Sequence, residues 1–454
     1  MPDTDLLPES PASSPAGPGT TSRFTGVAKI VLLVLLTAWL SLVFWNSAKP
    51  LPPGTHIVSQ TSRLSEADVD FLYEPAQGPD IPAREMSAID HAEQLIVLDR
   101  SPLGPEAAQH LLARQRARPN LKIVVITDPG NEVFGGTPSQ LLGSLEEAGI
   151  IVARVRLDRL RDSNPLYSGL WRLGFAWWND PFDETPGRVT LPAWLRMQNF
   201  KADQRQLMVT DDGSGSWITF IVSGGARTGL VLRGSLARAI VAGELQIAAW
   251  STDDDRLPSA PPMDGRGVGS IDARFLTEGA IESALLDALA AAGRGDRVCI
   301  AVDHLSERAV IAAALQAAAR GATLQVLLAR SRMPNQAVAG ELEREGGGRI
   351  EVRWSPFEPG PVHPGLLIVQ HRTELWINWG SANFTRRNLG DLNLEAGVEL
   401  RMQARSAPAR AVTDYFARTW SNAAPDAYDP AAANESSGAY WRYRIAEATG
   451  LSSF

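Results

Sequence analysis

The sequence of 454 residues holds a single cysteine, Cys299, and only four lysines, Lys29, Lys49, Lys122 and Lys201. One cysteine excludes an intramolecular disulfide and any metal site built from a cysteine cluster. Positive charge is also in short supply, with a net charge of −8 and a pI of about 5.4. Because nucleic-acid binders usually carry a basic stripe, we expect no nucleic-acid partner.

The composition is otherwise that of a folded protein. Apolar residues make up 44% and charged residues 21% of the chain, which excludes wholesale disorder. The histidines show no metal-ligand spacing with one another, and we expect neither a metal nor another cofactor.

Residues 24–45 read FTGVAKIVLLVLLTAWLSLVFW, close to the roughly 20 apolar residues that a bilayer span requires. We predict a disordered arm at 1–23 and a signal anchor at 24–46. A cleaved signal peptide is the first alternative, although Asn46 fits poorly in a small-x-small cleavage site; a buried core helix is the second. Arg23 and Lys29, at the start of the span, favour a cytoplasmic N-terminus, which would place the body outside the cytoplasm. Lys49 follows the span and favours the opposite orientation.

The remainder reads as two α/β halves. Strands are predicted at 95–98, 122–127 and 150–157, with helices at 105–118 and 139–148 between them. The same order recurs, with strands at 298–302, 324–329 and 350–354 and helices at 306–320 and 335–345, the first of these capped by Ser306. Such alternation predicts parallel sheets covered by helices, and the recurrence predicts an internal duplication. A β-rich stretch follows each run, at 207–223 and 366–381.

These patterns predict the domain organisation of the body. The first lobe is predicted at 47–251, a linker at 252–270 and the second lobe at 271–425. A tail at 426–454 is predicted to pack on the lobes.

A motif closes the second half. It reads HPGLLIVQ from His363 to Gln370, then Gly-Ser-Ala-Asn at 380–383, then Asn393-Leu394-Glu395. This resembles the phospholipase D superfamily, whose signature is His-x-Lys, four residues, Asp and then Gly-Ser-x-Asn, once per half. The first copy reads QRQLMVTD at 204–211, and Ser223-Gly224-Gly225 follows where Ser and Asn would stand. Further stretches, including 160–171, 277–281 and 440–454, resemble a bacterial membrane-anchored branch near cardiolipin synthases.

The resemblance implies two phospholipase D-like α/β/α lobes related by a pseudo-twofold axis, after an N-terminal transmembrane helix. It implies a single-pass protein of the bacterial inner membrane and a phospholipid headgroup as ligand; no protein partner can be named. In the family, one histidine attacks phosphorus, the second protonates the leaving oxygen, and the lysines stabilise the phosphate charge. Gln204 and His363 should therefore face each other between the lobes.

The chain departs from the family pattern at most of the chemical positions. The first His is replaced by Gln204, and the two Lys are replaced by Gln206 and Gly365. The second Asp is replaced by Gln370, and the first Asn by Gly225. The positions that match the pattern are His363 as nucleophile or acid, Ser381 and Asn383 as phosphate donors, and Asp211 and Glu395 as supporting residues. Since no lysine follows Lys201, no shift of register recovers the second lysine.

Two functions remain open. The first is an inactive, membrane-anchored protein that binds a phospholipid headgroup or a partner. The second is an active phosphodiesterase or phosphatidyltransferase with a site rebuilt around His363, arginines replacing the lysines. Strand alternation, however, points Arg205 away from the face that carries Gln204 and Gln206. On the first hypothesis, restoring His at Gln204 and Lys at Gln206 and Gly365 recovers some activity provided that the cleft is otherwise intact.

Three weaker features complete the sequence-based interpretation. The stretch DDGSGS at 211–216 predicts a hairpin turn, because a calcium loop would need a glutamate downstream. The group Trp171, Trp177 and Trp178 indicates either core packing or a lip that touches acyl chains. Arg386 and Arg387 are expected to be solvated or paired with acids, with phosphate contact as the alternative.

Overall fold

The computed structural model describes residues 20–73, 81–133, 138–177, 190–199, 201–223, 228–262, 267–330, 334–355, 364–423 and 437–449. Within these ranges the chain forms fifteen strands and fourteen α-helices. The strands are β1 (Ser62–Leu64), β2 (Val69–Tyr73), β3 (Leu95–Asp99), β4 (Lys122–Thr127), β5 (Ile151–Arg154), β6 (Leu207–Asp211), β7 (Trp217–Ser223), β8 (Thr228–Arg233), β9 (Ile271–Thr277), β10 (Arg297–Val302), β11 (Thr323–Leu328), β12 (Ile350–Trp354), β13 (Gly365–His371), β14 (Glu374–Gly380) and β15 (Ala396–Gln403).

The helices alternate with the strands in both halves. They are α1 (Thr20–Ala48), α2 (Ile81–His91), α3 (Pro105–Ala117), α4 (Pro129–Val133), α5 (Ser139–Glu147), α6 (Pro165–Gly174), α7 (Leu191–Met197), α8 (Leu236–Ser251), α9 (Gly279–Ala291), α10 (Arg308–Ala319), α11 (Asn335–Glu345), α12 (Arg386–Leu389), α13 (Ala407–Asn422) and α14 (Ser437–Thr449).

The two sheets repeat one topology, which confirms the predicted two-lobed α/β fold. The first has the strand order β2-β8-β7-β6-β3-β4-β5, and the second has β9-β15-β14-β13-β10-β11-β12 with β1 added beside β9. In each, three strands are parallel and the others are antiparallel. The prediction of parallel sheets therefore describes only three strands of each sheet. Short turns join β6 to β7 and β13 to β14, and a short turn can connect only antiparallel strands.

The predicted element boundaries agree closely where the hydrophobic pattern is strong. β4, α11 and β12 begin and end at the predicted residues. The helix predicted from Ser306 instead starts at Arg308, because the carboxylate of Glu307 caps it by accepting from the N–H of Ala309. The strand predicted over 150–157 ends at Arg154, where the chain enters a 3₁₀ turn.

The core lies between the sheets and their helices. One cluster contains side chains from both sheets, among them Val97, Val209, Ile368 and Val398, so the lobes share buried apolar surface. Burial of apolar area on this scale is the main driving force for holding the lobes together.

The N-terminal helix α1 stands apart from that core. Its stretch Gly26–Ala48, of 23 residues, is long and apolar enough to cross a membrane.

Candidate functional site

The second motif copy lies at the start of β13, opposite the end of β14. Gly365 pairs with Gly380 across these strands, and the Gly-Ser-Ala-Asn segment turns away directly after them. A Cβ atom on Gly365 would lie 2.0 Å from the carbonyl oxygen of Ala382 and 3.3 Å from Phe384. The backbone therefore fills the space where the family pattern has a lysine side chain. This corrects the expectation that Lys can be restored at Gly365, because no lysine fits there without a shift of the backbone.

The first copy has the same register. Leu207 pairs with Ile221, and the N–H of Val222 donates to the carbonyl of Gln206 at 2.8 Å, so Gln206 and Val222 occupy the places of Gly365 and Gly380. The side chain of Gln206 turns to the fold itself, and its Nε2 donates to the carbonyl of Ser101 at 2.6 Å. This amide is thus held at the position of the family's first lysine.

Gln204 lies where the lobes meet. Its N–H donates to the carbonyl of Leu394 at 2.9 Å, and its Oε1 accepts from Nδ2 of Asn388 at 2.9 Å. Asp203 and Leu394 form a parallel bridge beside it. Gln204, which the motif spacing aligns with the first family histidine, therefore lies at the lobe interface.

The polar residues that match the pattern in the second copy bind one another. Oγ of Ser381 donates to Glu395 at 2.5 Å and accepts from the N–H of Ala396 at 3.1 Å. Oδ1 of Asn383 accepts from the N–H of His304 at 3.1 Å, which ties the Gly-Ser-Ala-Asn turn to the loop after β10. In this structure Ser381 and Asn383 thus stabilise the turn.

Glu395 lies beneath Gln204, with no solvent exposure. Nδ2 of Asn388 donates to it as well as to Gln204. Burial raises the pKa of the Glu395 carboxyl to about 8, against the hydrogen bonds from Ser381 and Asn388, which lower it. At neutral pH the group is therefore largely a neutral acid.

Asp211 has a structural role at the far end of β6. Its carboxylate accepts from the backbone N–H groups of Glu93, Gln94 and Leu95, where the chain enters β3, and from that of Gly213. Asp212 organises the turn that follows by accepting from the N–H groups at 214 and 216, so the predicted hairpin turn is confirmed.

Gln370 occupies the equivalent place in β13, opposite Leu375. Beside it, His371 and Asp296 form a hydrogen bond of 2.8 Å between Nδ1 and Oδ1, and Asp296 also accepts from the N–H of Gly293. A different carboxylate thus stabilises the start of β10 in the second lobe.

The sequence-based interpretation missed a buried ion cluster behind Gln204. The guanidinium of Arg205 has no solvent exposure and contacts Glu244 at 2.8 Å and Glu278 at 2.6 Å. Glu278 also accepts from the N–H groups of His56 and Glu395, at 2.7 and 3.0 Å, so its carboxylate joins three separate parts of the chain. Strand alternation alone predicts that Arg205 points away from Gln204, and this is confirmed.

Further carboxyl groups extend this cluster. Burial raises the pKa of Asp99 well above its usual range, and the neighbouring Asp203 and Glu244 add to the effect. Burial likewise raises the pKa of Asp203, against the attraction of Arg205. These acids carry more negative charge than the single guanidinium of Arg205 can neutralise, and this excess favours the protonated forms of Asp99 and Asp203. Among the described residues, no group of three His, Cys, Asp or Glu side chains could hold a metal ion.

A second ion cluster lies near the end of α1, where the N–H of Asp162 donates to the carbonyl of Asn46. Nζ of Lys201 contacts Asp162 at 2.6 Å, and Arg172 binds the same carboxylate. Burial opposes ionisation of Asp162, but the hydrogen bond from Arg172 and the charge of Lys201 hold its pKa at about 2. The two basic residues that flank Gln204 in sequence, Lys201 and Arg205, are both bound to carboxylates.

Arg386 also has a structural partner, since its Nη2 donates to the carbonyl of Ser163 at 2.7 Å. His363, Gly225 and Trp178 lie outside the described residues, and the predicted approach of Gln204 and His363 therefore stays a prediction.

Residues 285–420 match the family model "Cardiolipin synthase, PLD-like domain". A search of curated proteins gives no match. A phosphatidylserine synthase from Haemophilus influenzae Rd KW20 has a similar structure, with a TM-score of 0.53 and 10% identity over 86% of this chain and 91% of that one. A polyphosphate kinase from Porphyromonas gingivalis gives a TM-score of 0.47 and 13% identity over 81% and 50%. Nuc, a phospholipase D family member from Salmonella typhimurium, gives 0.28 and 16% over 34% and 97%.

The motif positions, the repeated sheet topology and the family match over the second lobe agree with one another. Together they support a phospholipase D-like, cardiolipin synthase-like protein, with the family match confined to residues 285–420.

Proposed function

We propose that this chain is a membrane-anchored phospholipase D-like protein that holds a phospholipid headgroup at the cleft between its lobes and does not turn it over. α1 anchors it as a single-pass protein, with the body outside the cytoplasm. The class of ligand is supported by the cardiolipin synthase-like family match and by the fold shared with a phosphatidylserine synthase.

The observation that carries the proposal is the close packing at Gly365. Attack on a phosphodiester needs positive groups around the phosphate oxygens, and removing one well-placed donor typically lowers the rate about 10²–10³-fold. Here the backbone of Ala382 occupies the space of one lysine, 2.0 Å from the place of a Cβ. The other lysine position holds Gln206, whose amide is bound to Ser101.

Proton transfer lacks its usual partner as well. The amide of Gln204 is neutral at every working pH and can neither attack phosphorus nor protonate a leaving alkoxide. The adjacent Arg205 cannot take over the charge, since it is buried between Glu244 and Glu278. Neutral donors such as the Gln204 amide can still hold a phosphate, so binding without turnover is the expected behaviour.

The test uses the full chain purified in detergent and reconstituted in nanodiscs. Turnover of phosphatidylglycerol, cardiolipin and a chromogenic phosphodiester is measured beside binding of the corresponding soluble headgroups. We expect headgroup binding and turnover no higher than in protein-free nanodiscs. Gln204→Leu should weaken the binding, because it removes an amide donor without adding charge.

The matched control is His363→Ala. Phospholipid turnover by the wild type that this substitution abolishes would overturn the proposal and establish an enzyme rebuilt around His363. Absence of both turnover and headgroup binding would mean that the protein does not bind the proposed ligand, and this result would also overturn the proposal.

A further inference from the structure

The N-terminal helix packs on the body along one narrow face. Between residues 26 and 48, only Ala38, Trp39, Leu42, Val43 and the pair 46–47 are partly covered, and all other side chains are exposed. The spacing of three and four residues defines a single helix face. All of this coverage therefore lies in the second half of the helix, close to where the chain enters the body.

The partner of that face is α6. Nε1 of Trp39 donates to the carbonyl of Leu166 at 3.0 Å, and the N–H of Asp162 donates to the carbonyl of Asn46 at 3.0 Å. A Cβ on Gly169 would lie 2.7 Å from Val43, so the two helices touch closely. α6 is thus fixed beside the segment from Trp39 to Asn46.

Helix geometry then sets the depth of α6. The fully exposed stretch, residues 26–37, spans about 18 Å at about 1.5 Å per residue, whereas the hydrocarbon core of a bilayer is about 30 Å thick. A span by this helix must therefore continue through much of the segment that α6 contacts. It follows that α6 lies at the level of the membrane and its headgroup boundary.

The exposed surface of α6 and α7 suits that position. Large apolar side chains are exposed there and form what we call the α6–α7 patch: Leu170, Phe175, Trp177, Leu191 and Trp194. Outside α1, only four other large apolar side chains are exposed among the described residues: Val58, Val268, Trp441 and Ile445.

Charge on α6 is confined to its inner side. Between residues 165 and 177 the only charged side chain is Arg172, and its guanidinium binds the buried Asp162. The hydroxyl of Tyr167 donates to the carbonyl of Leu195 at 2.8 Å and joins α6 to α7. Within residues 165–177 the outward surface therefore carries no charge, and the exposed Trp177 suits the boundary between headgroups and acyl chains.

We infer that the α6–α7 patch is a second membrane contact, which lies in the outer part of the bilayer that α1 spans. The inference rests on the proposed anchor. It also positions the cleft, since Arg386 and Lys201 donate to the carbonyls of Ser163 and Leu160 in the segment that leads into α6. The ligand is accordingly a phospholipid of that same bilayer surface.

The test uses the full chain, with Cys299→Ala, in vesicles of phosphatidylethanolamine and phosphatidylglycerol. Single cysteines at Phe175 and Trp177 carry a nitroxide label, and its accessibility to oxygen and to a water-soluble nickel chelate is measured. Val268, which is 95% exposed in the segment that leads into β9, provides the matched position in water, and Leu33 provides the position inside the bilayer. We expect the ratio of oxygen to nickel accessibility at 175 and 177 to exceed that at 268 several-fold.

Three results would overturn the inference. Labels at 175 and 177 that are as accessible to nickel as the label at 268, while the label at 33 is shielded, show that the anchor spans and the patch does not bind. Labels shielded from both agents show a protein contact, such as a second copy of the chain. A label at 33 that is accessible to nickel shows that the anchor itself is wrong.

Discussion

Oε1 of Gln204 accepts a hydrogen bond of 2.9 Å from Nδ2 of Asn388, and this bond joins the two lobes at the position of the family's first histidine. The same nitrogen also donates to Glu395. A histidine could not reproduce this arrangement unchanged, because its ring is rigid and its acceptor nitrogen lies elsewhere.

Restoring the motif should fail at one position. The triple substitution Gln204→His, Gln206→Lys and Gly365→Lys is expected to yield no turnover, because a lysine side chain in place of Gly365 would force the backbone of Ala382 away. Gly365→Ala alone should lower the free energy of unfolding by about 1–3 kcal/mol, the usual cost of overpacking. Thermal unfolding and phospholipid turnover measure the two effects.

Gly143→Ala is the control for this prediction. Gly143 lies in α5 with no atom within 4 Å of its Cβ position, so alanine should leave stability unchanged or raise it. Restored turnover in the triple variant would show that a lysine side chain does fit at position 365.

Arg205 should be essential for stability. Arg205→Met leaves the carboxylates of Glu244 and Glu278 buried without their cation, and breaking such a pair typically costs about 3–5 kcal/mol. Chemical unfolding measures the loss, and Arg256→Met, which removes the exposed pair with Asp254, should change little. An Arg205→Met protein of normal stability that has lost headgroup binding would instead show a role in ligand binding.

Stability should fall as the pH rises toward 8. The pKa of Glu395 is about 8 in the folded protein and about 4.5 as the reference for the unfolded chain. The folded state therefore binds more protons between these values, and its stability is present below about 4.5 and is lost as the pH rises through about 8.

Glu395→Gln is the corresponding test, since it mimics the neutral acid. It should flatten the dependence of the unfolding temperature between pH 5 and 8 and raise that temperature at pH 8, by an amount worth at most a few kcal/mol. An unchanged pH dependence in this variant would mean that Glu395 is ionised at neutral pH.

Removal of residues 1–49 should weaken the body. It deletes the bond from Trp39 to Leu166 and uncovers Gly169, so the unfolding temperature should drop below that of the full chain. The truncated protein should nevertheless sediment with vesicles through the α6–α7 patch. Phe175→Ser should reduce this binding and Val268→Ser should not, and a truncated protein that stays in the supernatant would contradict the prediction.

Local elements were predictable because their signals are local. β4, α11 and β12 follow from short apolar runs and helix periodicity with clear stops at their ends. The pairing of the antiparallel strands in each sheet was not predictable, because periodicity identifies a strand but not its neighbour in the sheet.

The ion cluster around Arg205 was not predictable in the same way. Its partners Glu244 and Glu278 lie 39 and 73 residues away along the chain. The only trace in the sequence is the run TEGAI at 277–281, which resembles the family without showing what Glu278 binds. Only folding brings these three charges together.

The chemical groups at the motif positions follow from the amino-acid sequence alone. The amides of Gln204 and Gln206 carry no positive charge in any fold, and neither does the hydrogen atom that is the side chain of Gly365. The reason is that the charge of a side chain depends on its covalent structure. Only the folded chain shows that Gly365 has no room for a side chain, that Gln204 binds Asn388, and that α6 lies beside α1. The reason is physical: space, burial and hydrogen-bond partners arise from contacts between residues that are distant in the chain.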